Sequence, residues 1–64
     1  MKKLKNYADV LYSTQDFIVF AVVYDTVTKK KVLSDSTIEY TIKKYGEKEV
    51  KRLVPQDNKF IIYI

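Results

Sequence analysis

Serine, carboxylate, tyrosine and lysine are the side chains of this sequence that could do chemistry, and their surroundings decide which chemistry. Ser13, Ser34 and Ser36 are hydroxyls in a chain with no histidine, and a serine nucleophile needs an adjacent base. They read as turn and cap residues. The carboxylates Asp9, Asp16, Asp25, Asp35, Glu39, Glu47, Glu49 and Asp57 are scattered along the chain. Their spacing matches neither an EF-hand loop nor a paired acid/base site. With no cysteine either, disulfides, thiolate metal sites and the commonest metal ligand and general base are all removed. The expectation is a protein that is not an enzyme and uses no metal or cofactor.

Six tyrosines accompany twelve Lys and Arg. Aromatic rings beside a basic groove are what single-strand nucleic-acid binders use to stack bases. The RNP pattern of RNA-recognition sheets is missing, and so is helix-turn-helix spacing. Tyr7, Tyr12, Tyr24, Tyr40, Tyr45 and Tyr63 therefore read first as rims of a core or an interface, where a ring with a polar tip is favoured. Base stacking is the second reading.

The elements that must position these groups come from a chain of 64 residues, 47% of them apolar. That is too apolar for disorder and long enough for one domain over residues 1–64, near the lower limit for folding unaided. Small domains are steadied by disulfides, a metal or a partner chain, and only the partner chain is left open. Gly46 and Pro55 are the only residues of their kinds, so a Gly-rich phosphate loop and a flexible linker are absent. "MKKLKNYADV" is basic but lacks the apolar stretch of a signal peptide. The run "FIVFAVVY" falls far short of the ~20 residues of a membrane-spanning helix. The expectation is a cytoplasmic protein without membrane contact.

Leu4, Ala8 and Leu11 share one helical face, which predicts a short helix over residues 5 to 12 with Asn6 as its cap. "STQD" ends it. Phe17–Tyr24 has the aromatic and β-branched content of a strand, "DTVTKKK" is a turn, and "KKVLS" is a shorter second strand. "SDSTIEYTIKKYG" alternates as a strand would at Ile38, Tyr40 and Ile42. It reads as a helix because Ser36 and Glu39 form a capping box, Lys43 and Lys44 suit the last turn, and Gly46 suits the C′ position. Val50–Val54 and Phe60–Ile64 are strands around "PQDN", where Pro55 pre-sets a turn and Asn58 tolerates the left-handed region.

The fold class is therefore α+β, with element order α-β-β-α-β-β. The two greasiest runs belong at the centre of the sheet and the charged ones at its edges. That gives a single four-stranded mixed sheet of order 2-1-4-3, with strands 1 and 4 parallel and short helices mainly on one face. If Phe60, Ile62 and Ile64 face the helices, Ile61 and Tyr63 face outward, and strand 1 must add either Ile18, Phe20 and Val22 or Phe17, Val19, Ala21 and Val23. So large an uncovered apolar face points to an interface, most simply a two-fold homodimer through Phe17, Val19, Ile61 and Tyr63. The alternative is that the first helix crosses to the second face and covers it.

The same topology gathers charge. The turn holding Lys29, Lys30 and Lys31 lies at the end to which the second helix brings Lys43 and Lys44. Lys2, Lys3, Lys5 and Lys48 belong there too, while Asp16, Asp35 and Asp57 collect at the other end. A net charge of +4 concentrated at one pole would steer an acidic protein surface or a phosphate backbone toward it. Lysines that only keep the turns soluble are the alternative.

The hairpin together with "TIKKYGEKEVKRLVPQDNKFIIYI" resembles short uncharacterised proteins encoded by phages and prophages of Gram-positive bacteria. The likeness lies in a helix closing in "KKYG", an "EVKRL" strand, a polar turn and a greasy final strand. The continuous apolar first strand departs from it, and no site residues carry over. The resemblance implies a non-enzymatic inhibitor of a host protein, such as an anti-phage defence component, in the host cytoplasm; the expected contacts Lys29, Lys30, Lys31, Lys43 and Lys44 come from the basic pole and not from the resemblance. The alternatives are a basic nucleic-acid-binding accessory protein and a structural or regulatory phage protein.

Overall fold

Two parallel apolar strands form the centre of the sheet, their side chains buried or half-buried on both faces except at Phe20. In the computed structural model, which describes residues 2–14, 16, 18 and 20–64, these are β1 (Phe20–Asp25) and β4 (Lys59–Tyr63). The lysine-bearing β2 (Lys30–Thr37) and the Pro55-bearing β3 (Arg52–Gln56) are the antiparallel edges. The sheet order is β2-β1-β4-β3, and the protein is α+β as its sequence predicts. A 3-10 turn over Leu4–Tyr7 leads into α1 (Ala8–Ser13), and α2 (Ile38–Tyr45) links β2 to β3.

One face of the sheet is closed by these helical segments. Leu4, Leu11 and Ile38 descend from them onto Ala21, Val23, Phe60 and Ile62, and all seven are buried in one cluster. The alternating neighbours Val22 and Ile61 lie on the other face, outside that cluster. Among the described residues Thr41 is the buried polar one, and its hydroxyl donates to the Thr37 carbonyl at 2.7 Å, which offsets the cost of its desolvation. The N-terminal segment is tied down by backbone bonds from Leu4 N–H to the Lys48 carbonyl, Lys5 N–H to the Gly46 carbonyl and Val50 N–H to the Lys2 carbonyl.

Element boundaries depart from the sequence reading for local reasons. Asn6 does not cap a helix beginning after it. Its side chain accepts from Lys3 N–H at 2.9 Å, turning the chain one residue earlier and starting the 3-10 turn. β1 is described from Phe20, Ile18 before it gives its N–H to the Thr14 carbonyl at 2.7 Å, and the predicted start at Phe17 lies outside the described residues. β2 runs on through Thr37, so Ser36 lies in a strand, and Thr37 caps α2 by accepting from Tyr40 N–H at 3.2 Å. Gly46 has φ −57°, not a left-handed value. It must be glycine because a Cβ there would stand 2.4 Å from the Ile42 carbonyl oxygen.

The last hairpin is tighter than "PQDN" predicts. Pro55 sits inside β3 opposite Phe60, where an edge strand tolerates its missing N–H. Gln56 pairs with Lys59, leaving Asp57 and Asn58 as the loop, and Asp57 at φ 56°, not Asn58, takes the left-handed position.

Candidate binding surface

The end of the sheet where β1 and β4 finish collects positive charge from every direction. The hairpin there is held by Asp25, whose Oδ1 accepts from the N–H groups of Val27 and Thr28 at 2.8 and 3.2 Å. Lys29 closes it with φ 59°, and Lys30 and Lys31 open β2. The last turn of α2, with Lys43 and Lys44, arrives at the same end. The Tyr45 hydroxyl there makes a long contact, 3.4 Å, with the Val32 carbonyl. Lys2, Lys3, Lys5 and Lys48 follow through the backbone ties to residues 46–50, and Lys51 and Arg52 enter β3 beside Tyr63. Of the twelve Lys and Arg, only Lys59, at the start of β4, stands at the opposite end.

Carboxylates offset part of this charge. Glu47 binds Lys5 at 2.7 Å and Lys3 at 3.0 Å, and these hydrogen bonds hold its carboxyl below the usual range. Glu49 meets Lys51 at 3.3 Å. Among the described residues, Lys29, Lys30, Lys31, Lys43, Lys44, Lys48 and Arg52 have no carboxylate within 4.0 Å. Lys31 stands 5.8 Å over the Tyr24 ring, and Lys44 lies 5.9 and 5.7 Å over the rings of Tyr40 and Tyr45. The predicted set Lys29, Lys30, Lys31, Lys43 and Lys44 is thus gathered at one end, on a hairpin and a helix terminus.

The sheet face turned away from the helices is organised in rows by the strand register. Lys31, Tyr24, Tyr63 and Arg52, one from each strand, form the row at the basic end. Tyr24 and Tyr63 stack with centroids 5.6 Å apart and planes at 22°. Val22, Ile61 and Val54 form the middle row, and Phe20, Lys59 and Gln56 the far one. Val22 is already only 4% exposed, while Phe20 is 42% exposed. Of the residues predicted at a dimer interface, Ile61 and Tyr63 lie on this open face, half-buried, and Phe17 and Val19 lie outside the described residues.

Beside the tyrosine pair, Tyr24, Asp25, Thr26, Lys29 and Tyr63 line a shallow cavity of ≈ 260 Å³. Sequence reading missed Arg52 and the pairing of Tyr24 with Tyr63. The signal was present: both central runs end in tyrosine, "VVY" and "IIYI", and parallel pairing brings those ends together. Among the described residues, no group of three or more acids could hold a metal ion, and no helix is long and apolar enough to cross a membrane. Comparison with protein-family models, curated proteins and solved structures finds no match for this chain.

Proposed function

We propose that this protein acts by stoichiometric binding, not catalysis, and that its basic end docks on an acidic surface of a bacterial host protein, in the manner of a phage-encoded inhibitor. The observation that carries this is the gathering of Lys29, Lys30, Lys31, Lys43, Lys44, Lys48 and Arg52 at one end without carboxylate partners. Charges held apart from their own acids remain available to a partner, and in clusters they speed encounter with an oppositely charged surface. A chain without histidine or cysteine lacks the usual means of nucleophile activation, which favours binding over turnover.

A two-fold homodimer across the open face is a further proposal. The Val22, Ile61 and Val54 row supports it, because burying apolar area at ~25 cal/mol per Å² favours association. The small remaining exposure of Val22 weighs against it. The experiment that tests the docking proposal is association kinetics against a captured acidic partner at low and high salt. Replacing Lys29, Lys30 and Lys31 should slow association and flatten its salt dependence, since rim charges act mainly on the on-rate. Unchanged rates and salt dependence would remove the basic end from the binding surface.

A further inference from the structure

We infer that the open sheet face carries, at its basic end, a site for single-stranded nucleic acid in which Tyr24 and Tyr63 stack bases while Lys29, Lys31 and Arg52 hold phosphates. This goes beyond the acidic protein partner proposed above and concerns the side of the sheet that the helices leave bare.

The first observation is the row itself. Register places Lys31, Tyr24, Tyr63 and Arg52 in line across all four strands, cations outside and rings inside. At roughly 4.8 Å between strands the row is about 14 Å wide. Sheets of this width that bind single strands stack two or three bases on their open-face aromatics. The paired rings, 5.6 Å apart, form such a platform, and every base has a π-face to offer it.

The second observation is the cavity against that pair. At ≈ 260 Å³ it lies below the ~300–1,000 Å³ of pockets for larger ligands, and suits one flat ring. Two of its polar groups are engaged within the protein. Asp25 Oδ1 is taken by the turn N–H groups, and the Thr26 hydroxyl donates to the Ile64 carbonyl at 2.7 Å. Lys29 is the lining cation without a carboxylate within 4.0 Å.

The third observation is the backbone of Lys29. A φ of 59° is a position where glycine or asparagine is at ease and a long side chain is strained. The hairpin holds this conformation, and it sets Lys29 on the wall of the cavity with Tyr24 and Tyr63.

An acidic peptide would answer the cations and leave the rings unused. A duplex would hide its bases from them. A second copy packed face to face and antiparallel would offer Lys31 and Arg52 only Asp35 from that face, which Lys59 already holds at 2.8 Å. A single strand answers both the rings and the cations.

The test is fluorescence anisotropy with a labelled oligo-dT of about ten nucleotides, beside a duplex of equal length, at low salt. The wild type should bind the single strand in preference to the duplex. Tyr24→Leu and Tyr63→Leu, which keep apolar bulk but remove the ring, should each weaken binding about 5- to 150-fold. Tyr63→Phe should bind as the wild type does. Lys29→Gly and Arg52→Ser should each lower the log–log salt slope by about 0.7, and these readings stand even if a leucine variant fails to fold. Lys43→Ser with Lys44→Ser, on the helix side, should weaken oligonucleotide binding less than Lys29→Gly with Arg52→Ser does, through the general loss of charge alone. Equal binding of duplex, no binding at low salt, or leucine variants that bind like wild type would overturn the site. So would a protein partner that engages Tyr24 and Tyr63 while the oligonucleotide does not, and that outcome would leave the docking proposal standing.

Discussion

Asp35 and Lys59 meet across an intervening strand: Asp35 lies on β2, Lys59 on β4, and their side chains close over β1 with Oδ1 and Nζ 2.8 Å apart. A left-handed backbone at Asp35, φ 31°, accompanies the irregular β1–β2 register, which slips twice between Ala21 and Tyr24. The pair sits on the open face at the end away from the lysine cluster, and it ties the second strand to the fourth.

That geometry predicts how the pair titrates. The hydrogen bond from Lys59 holds the Asp35 carboxyl below its usual range, and the same bond raises Lys59. A carboxylate with a lowered folded-state pKa contributes stability above its unfolded value and loses it as pH falls through the lowered one. Glu47, lowered by Lys5 and Lys3, follows the same sign. Both groups are exposed, so the change in stability is small, and carboxyl NMR titration is the sensitive measurement. Lys59→Met should return Asp35 to the ordinary aspartate range. An Asp35 titration that ignores this change would show that the bridge is not populated.

Gly46 gives a prediction that separates two explanations of one residue. If glycine were needed for a left-handed cap, asparagine would be the mildest replacement. With φ −57° and the Ile42 carbonyl 2.4 Å from any Cβ, asparagine and alanine should be equally harmful, each costing about 1–3 kcal/mol in urea unfolding. A clearly milder asparagine variant would contradict the steric account.

The start of α2 can be checked in the same way. Thr37→Ala removes the oxygen that accepts from Tyr40 N–H and should cost about 1 kcal/mol. Ser36→Ala removes a hydroxyl that donates to the Ser34 carbonyl within β2, and should cost less, about 0.5 kcal/mol. The reverse order in denaturant melts would restore Ser36 as the cap.

Neighbouring isoleucines in β4 report on the two faces. Ile62 is fully buried under the helices, whereas Ile61 lies half-buried on the open face. Ile62→Ala should cost about 2–5 kcal/mol, and Ile61→Ala about 1 kcal/mol. Equal costs, with the Ile61 penalty growing as protein concentration rises, would mean that a second copy covers the open face.

The topology was legible because the apolar runs around Ala21 to Tyr24 and Phe60 to Ile62 are too greasy for edges, and Lys30, Lys31 and Arg52 are too charged for the centre. The ends of elements were not, since each turns on a single hydrogen bond. Asn6 accepts from Lys3 N–H, and Thr37 outcompetes Ser36 by one position. The basic end followed from strand direction alone. The row from Lys31 to Arg52 did not, because the two irregularities in β2 decide which face Lys31 occupies, and a one-residue slip reverses it.

Affinity capture from a Gram-positive lysate, with nuclease and at two salt concentrations, tests the docking claim most directly. The wild type is compared with a variant carrying Lys29→Asn, Lys30→Ser, Lys31→Ser, Lys43→Ser and Lys44→Ser. Asparagine at position 29 keeps the left-handed turn unstrained. The account predicts one stoichiometric, acidic protein that survives nuclease, weakens at high salt and is lost by the variant. A partner retained equally by the variant at both salt concentrations, or the loss of every partner on nuclease treatment, would contradict it.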